Sequence, residues 1–421
     1  MSFTFLHAAD LHLGSPFQGL GLRDAHLAAR LASASREAFE ETIDRALEEK
    51  IAFAIFAGDI FDGDWRDSAI ALFFNRQIAR LAKAGVPSFL LKGNHDAESV
   101  VTKSLSLPDL AKNFPTGKAH SFELPDLHVA LHGRGFAHRA ESENIALAYP
   151  PPKPGWFNIG VLHTSLDGRP GHHNYAPCTL DDLRAKSYDY WALGHVHAHE
   201  VVAQDPWIVY PGNLQGRSIR ETGAKGAVLV DVADGNVTGL RRLIVDRVRF
   251  AEIDIDAGPH DESLSFLRAI EAETRRLGAQ AEGRLLALRL RLTGPSPLHG
   301  KFAADPAHWR LEFEAAAQRG HDDLALERLL IETKAPALPR RQSEQSEQSE
   351  QDFDLAALLD ECRSESLFRA QALAALASIE ARIPGSGSVG ASPLSSEIDA
   401  LLAEARDLAL FSAQKDGGSE A

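Results

Sequence analysis

Cysteine is almost absent: the 421 residues include only Cys178 and Cys362. Two thiols build neither a disulfide framework nor a thiolate zinc site. Long apolar runs are absent too. No stretch reaches the ~18 consecutive apolar residues of a membrane-spanning helix. The opening MSFTFLHAADLHLGS has neither the basic start nor the extended apolar run of a secretory leader. A reducing cytoplasm is therefore the expected compartment. Positive charge is the third deficit, with 44 Lys and Arg against 59 Asp and Glu, a net charge of −15. Taken whole, that argues against a nucleic-acid partner, because phosphate backbones attract basic surfaces. The deficit is local, however. Residues 342–421 hold 15 acidic and 5 basic side chains, which leaves only −5 on the other 341 residues.

What is present is an ordinary globular composition, 44% apolar and 24% charged, in a chain long enough for two or three domains. Residues 1–246 alternate strand-like and helix-like segments. Early βαβ units are followed by strand-rich sequence, and two sheets flanked by helices are predicted. Residues 247–336 read as a second, smaller α/β segment. There Arg289 and Arg291 alternate with leucines and so share one face of a strand, either solvated or touching DNA. Residues 337–351 include QSEQSEQSEQ and read as a linker. Residues 352–421 form an acidic tail. Leu355, Leu358, Leu359 and Cys362, and then Ile398, Leu401, Leu402 and Ala405, follow helical spacing on either side of the break PGSGSVGASP at 384–393. Two amphipathic helices are predicted, packing on each other, on the body or on a partner's helices.

Polar residues repeatedly follow apolar strands, where layered α/β folds assemble their sites. Five motifs fall in order: Asp10-Leu11-His12, Gly58-Asp59, Gly93-Asn94-His95-Asp96, His163, and Gly194-His195-Val196-His197. The four-residue motif is the sharpest, with a chance expectation of about 0.003 in this length at equal residue frequencies. Oxygen and imidazole donors without thiolates suit borderline divalent ions such as manganese, iron or zinc. A mononuclear site needs three or four ligands, whereas seven candidates suggest two ions. Such a pair, roughly 3.5–4 Å apart, clamps a phosphoryl group, activates water and stabilises the leaving oxygen.

With these motifs the chain resembles the calcineurin-like metallophosphoesterases, and within them the nuclease subunit of the bacterial SbcCD complex. The match over 1–246 includes Tyr210-Pro211-Gly212-Asn213 and Glu221-Thr222-Gly223-Ala224-Lys225-Gly226. The stretches His173-Asn174-Tyr175-Ala176-Pro177-Cys178 and Asp189-Tyr190-Trp191-Ala192-Leu193-Gly194-His195 are similar to the YhaO-like branch of DNA repair exonucleases. The resemblance implies a four-layer α/β/β/α sandwich, with 247–336 as a capping domain and candidate DNA-binding element. It also implies that Asp10, His12 and His197 hold one metal and Asn94, His163 and His195 the other, with Asp59 bridging. His95 would be the catalytic histidine, contacting the scissile phosphate and protonating the leaving oxygen, and a metal-bound hydroxide the nucleophile. Asp96 would orient His95 or the turn. Asp62 departs from archaeal and eukaryotic relatives, which carry histidine there, and this bears on substrate handling. His172 and His173 are loop candidates for substrate contact. His7, His120, His128, His132 and His138 fit no ligand position, and Trp191 reads as core.

The expected activity is Mn²⁺-dependent exonuclease action on DNA, with endonuclease action in addition; Fe²⁺ and Zn²⁺ are alternative metals. Two other readings are a phosphodiesterase for small nucleotides and a non-catalytic scaffold, the latter disfavoured by the complete ligand set. The resemblance implies a coiled-coil ATPase partner of the SbcC or YhaN type, with the tail helices as docking elements, and it is compatible with a homodimer.

Overall fold

A computed structural model describes residues 1–15, 25–62, 68–97, 106–168, 175–336, 355–380 and 394–416. The predicted linker, the 384–393 break, and His172 and His173 lie outside the described residues. The chain divides into two compact units. The first comprises Met1–Ile253, Arg275–Arg289 and His321–Arg328, and the second Asp254–Thr274, Leu290–Gly320 and Leu329–Ala421.

The first unit begins with β1 (Ser2–Ala8), α1 (Ala25–Glu48), β2 (Phe53–Ala57), α2 (Ser68–Lys83), β3 (Ser88–Leu91) and β4 (Ala111–Asn113). It continues through β5 (His120–Leu124), β6 (Val129–Gly133), β7 (Phe157–His163), α3 (Leu180–Arg184) and β8 (Tyr190–Gly194). The strands β9 (Glu200–Gln204), β10 (Trp207–Tyr210), β11 (Gly226–Ala233) and β12 (Asn236–Ile244) follow. They form two six-stranded sheets, ordered β12-β11-β1-β2-β3-β4 and β5-β6-β7-β8-β10-β9. β1 to β4 pair in parallel, as do β6, β7, β8 and β10.

The apolar runs are continuous because both faces of these strands are buried. In β2, Phe53, Ile55 and Ala57 pack between the sheets against Ile159, Val161 and Tyr190. Ala54 and Phe56 face the other way, toward Phe39 and Ile43 of α1 and Phe74 and Ile78 of α2. On the far side, Trp191 and Leu193 of β8 pack with Tyr149, Leu183 and Tyr188. The result is a four-layer α/β/β/α sandwich, with Trp191 in its core. β12 was not legible in the sequence because it is an edge strand whose Asn236, Arg241 and Arg242 are exposed and interrupt any apolar pattern.

A three-stranded sheet, ordered β13 (Val248–Asp256), β14 (Leu285–Pro295) and β15 (Leu324–Lys334), contributes residues to both units. Within the first unit, Val248, Phe250 and Ala287 pack with Leu31 and Ala34 of α1. Arg289 and Arg291 share a face, as their alternation predicts, but both are ion-paired. Arg289 reaches Glu327 through two bonds of 2.7 and 2.8 Å, and Arg291 lies 3.5 Å from Asp254. The second unit adds the first part, up to Thr274, of α4 (Ser263–Ala281), together with α5 (His299–Ala304) and α6 (Pro306–Gly320). Its rings cluster around Phe302, 5.6 Å from Phe266 and 5.1 Å from both Trp309 and Phe313. Among the described residues the tail contains three helices, α7 (Leu355–Ser364), α8 (Ser366–Glu380) and α9 (Ile398–Asp416). The two predicted tail helices correspond to α7 and α9, and α8 between them is an additional helix. α9 packs on α5 and α7, burying Ile398 and Leu402, while Leu367, Phe368 and Ile379 of α8 are exposed.

Candidate metal centre

Every candidate ligand sits at or just beyond the carboxyl end of a strand. Asp10 and His12 follow β1, Asp59 follows β2, and Asn94, His95 and Asp96 follow β3. His163 closes β7, and His195 and His197 follow β8. Backbone pairing continues past the strand ends: the Asp10 N–H donates to Gly58 O and the His12 N–H to Asp59 O, each at 3.0 Å. The Asp10 carboxylate then crosses to the other sheet, accepting the His195 N–H at 3.1 and 3.0 Å. Asp59 Oδ1 accepts the His95 N–H at 2.9 Å.

These loops are tightly constrained. Asp10, His12, Asp59 and His195 have φ of 53°, 42°, 53° and 101°, a region that costs a non-glycine residue about 1–3 kcal/mol. Four strained residues among seven candidates mark the place where packing is spent on geometry. The motif glycines have a steric reason as well. A Cβ at Gly93 would collide with the Asp59 carboxylate, and one at Gly194 with the Ala57 carbonyl and the His163 ring.

The seven side chains converge. His12 Nε2 lies 3.2 Å from His197 Nε2, and His197 Nε2 lies 3.9 Å from Asp10 Oδ1. His163 Nε2 lies 3.1 Å from Asn94 Oδ1 and 3.4 Å from Asp59 Oδ2, and Asp59 Oδ2 is 3.8 Å from His12 Nε2. Among the described residues, two groups of donors able to hold a metal are Asp10, His12, His197 and Asp59, His163, His195, and a third is His12, Asp62, His95. All seven side chains are buried or nearly so.

The donor chemistry fits cations. His163 Nδ1 faces the Ala57 carbonyl at 2.9 Å and must carry the proton there, which turns the Nε2 lone pair toward two oxygen acceptors. His197 Nδ1 likewise faces Glu221 Oε1 at 2.7 Å, leaving Nε2 against another imidazole nitrogen. Lone pairs meeting in a buried space repel unless positive charge sits among them. The titration of His163 expresses that demand. Burial opposes its charge, but Asp59, by charge and hydrogen bond, and Asp10 by charge push it up to about 9. The two carboxylates divide. Burial raises Asp10, whereas for Asp59 the burial penalty is outweighed by His163, His12 and His95, which hold it well below the usual range.

Around this cluster stand three further carboxylates. Asp96 accepts the N–H groups of Ile60, Phe61 and Gly93 at 3.1, 3.0 and 3.1 Å. It therefore holds the turn, tying the loop after β2 to the loop after β3. Burial, and next the charge of Asp59, push its carboxyl up to about 6. Asp62 Oδ1 lies 2.9 Å from His95 Nδ1 and 3.7 Å from His12 Nδ1. His95 is raised from its ordinary value: burial works against the proton, and Asp62 and Asp59 prevail. Glu221 is the residue that sequence reasoning missed as a participant. Besides His197 it receives Asn213 Nδ2 at 2.9 Å and the Arg217 N–H at 2.8 Å. Its only sequence signal was its place in the Glu221-to-Gly226 stretch.

A cleft of about 820 Å³ opens over the cluster, and His95, Asn94, Arg217 and Lys225 line it. The bystander histidines stay away. His7 is buried between the sheets, bonded to Tyr190 Oη and Leu193 O at 3.0 Å each, and His132 bonds Ser121 and Asn158. His120, His128 and His138 are exposed.

Comparison with known proteins identifies the family by sequence. The sequence pattern of the calcineurin-like phosphoesterases matches residues 3–199, and that of the metallophosphoesterase YhaO middle domain matches residues 250–334. The metallophosphoesterase YhaO of Bacillus subtilis is 34% identical over 298 residues, covering 70% of this chain and 72% of its own. The DNA double-strand break repair protein Mre11 of Sulfurisphaera tokodaii is 26% identical over 257 residues, 57% of this chain and 62% of that protein. A dimetal phosphatase from Danio rerio aligns in structure over 58% of this chain and 98% of its own, with a TM-score of 0.34 and 12% identity. No described helix is long and apolar enough to cross a membrane. By sequence pattern over both regions and by its likeness to YhaO, the chain belongs to the YhaO-like calcineurin-like metallophosphoesterases.

Proposed function

We propose that this protein is a dinuclear metal-dependent phosphodiesterase that hydrolyses DNA, a repair exonuclease with endonuclease action in addition. The observation that carries it is the convergence of seven oxygen and imidazole donors beneath an open cleft, with His95 on the cleft wall. Kinship with a DNA double-strand break repair protein supports DNA as the substrate. Asp10, His12 and His197 would hold one cation and Asn94, His163 and His195 the other, with Asp59 shared between them. Such a pair, most simply Mn²⁺ with Fe²⁺ or Zn²⁺ as alternatives, supplies Lewis acidity to the phosphoryl oxygens and lowers the pKa of water. The protein's own part is orientation and one proton. His163 Nδ1–H and His197 Nδ1–H donate to Ala57 O and Glu221, fixing both rings with Nε2 inward. Asp62 holds His95 Nδ1, which leaves Nε2 to meet the scissile phosphate and pass its proton to the leaving oxygen. The coiled-coil ATPase partner, reached through the tail, belongs to the same proposal.

The test is digestion of end-labelled duplex and single-stranded DNA with Mn²⁺. Asn94→Ala and His95→Ala should each lose about 10²-fold or more in rate, and Asp59→Ala should lose activity and bound metal together. Intact DNA alongside hydrolysis of small phosphodiesters would refute the nuclease reading. Retained metal in Asp59→Ala would remove the bridging role.

A further inference from the structure

Arg217, in the segment between β10 and β11, lines the cleft yet faces two carboxylates. Its Nη2 and Nε lie 3.2 and 3.4 Å from Glu221 Oε1, and its own N–H donates to Glu221 Oε2 at 2.8 Å. On the other side, Nη1 lies 4.0 Å from Asp62 Oδ2. These carboxylates stand behind different histidines: Glu221 behind His197 at 2.7 Å, Asp62 behind His95 at 2.9 Å and His12 at 3.7 Å. The His12 nitrogen on that side is buried and has no hydrogen-bond partner within ordinary reach among the described residues.

We propose that Arg217 is a positioning residue that joins Asp62 and Glu221 into one brace, fixing His95 against the histidines of the metal centre. The inference rests on the dinuclear reading above. Two carboxylates on either side of one guanidinium repel each other and would each be drawn toward a cation. Asp62 has an alternative waiting, because its oxygen groups with His12 and His95 as a third set of donors within 4.8 Å of one another. A guanidinium is planar and offers five donors in a fixed fork, so it can hydrogen-bond Glu221 with one edge while its charge attracts Asp62 from the other, keeping Asp62 Oδ1 on the histidines. Lysine, a point charge, cannot reproduce that span. Arg220 supplies the contrast. It lines the same cleft three residues on, exposed, and its guanidinium makes no ion pair or hydrogen bond among the described residues.

The experiment titrates the full-length chain with Mn²⁺ alone, following free Mn²⁺ by electron paramagnetic resonance. In parallel it measures kcat and KM on bis(p-nitrophenyl) phosphate. Wild type, Arg217→Gln, Arg217→Lys and Arg220→Gln are compared, with circular dichroism confirming the fold. Loss of the brace should weaken Mn²⁺ binding and lower kcat by about tenfold each in Arg217→Gln, the scale of a lost partner behind a metal ligand. Arg217→Lys should recover only part of that loss. Arg220→Gln should change KM and leave the Mn²⁺ titration in place. Wild-type Mn²⁺ affinity and kcat in Arg217→Gln with a raised KM would make Arg217 a substrate contact and overturn the brace. So would full recovery by Arg217→Lys, or an equal loss of Mn²⁺ affinity in Arg220→Gln. If Arg217→Gln does not fold, Arg217→Lys carries the same decision. Absence of Mn²⁺ binding by wild type would instead overturn the dinuclear reading beneath the proposal.

Discussion

Single side chains here divide sharply by what burial asks of them. His7 and His163 are both fully buried imidazoles, yet they move in opposite directions. His163 has two carboxylates to answer its charge. His7 has a phenol and a carbonyl, so burial lowers it to about 3, the Leu193 carbonyl only partly opposing. An unfolded chain returns His7 to about 6.5, and between those values it binds more protons than the native state. The contribution of neutral His7 to stability is therefore fully present above about pH 6.5 and is lost as pH falls toward 3. Denaturant unfolding of wild type and His7→Gln at intervals from pH 4 to 8 should show a wild-type advantage that shrinks with acidification. A constant difference would refute this. Residue roles were unevenly legible. Gly-Asp, Gly-Asn-His-Asp and Gly-His-Val-His stand out because uncommon donors adjoin glycines that close packing requires. Glu221 and Asp62 were not legible as partners, since His197 and His95 lie 24 and 33 positions away in sequence. Only the path of the chain makes those pairs.

Elements are joined at the site by loops rather than by core. Asp96 is the clearest join, one carboxylate serving three N–H groups from the loops after β2 and β3. Asp96→Ala would leave those donors unpaired in a space too buried for ready hydration. A loss of about 3 kcal/mol in chemical denaturation is expected, with hydrolysis falling further because Asp59 and Asn94 sit on the released loops. Full activity at reduced stability would show that the loops hold their shape without the tie. The strands themselves were largely readable, because burial on both faces writes an unbroken apolar run. Short or edge elements such as β4 and β12 carry no such run, and α5 is too brief for its spacing to register.

For the whole molecule, the net acidity belongs mainly to a tail that carries helices. Ile398 and Leu402 bury one side of α9. Leu402→Asp should unpack it, and limited proteolysis would then cut within residues 381–421 sooner than in wild type while phosphodiester hydrolysis persists. Unchanged cleavage would mean that this leucine does not hold the helix. α8 was not legible because its alanine-rich sequence spreads apolar residues around the helix and writes no single stripe.

The bond from the Asp10 carboxylate to the His195 amide has a thermodynamic corollary. Its partners belong to different sheets, and so do the side chains of each proposed ligand set, so bound metal would act as a staple through the sandwich. A folded-state ligand at 100 times its Kd adds about 2.7 kcal/mol. The melting temperature of this protein would then serve as a gauge of free divalent metal, readable with no substrate present.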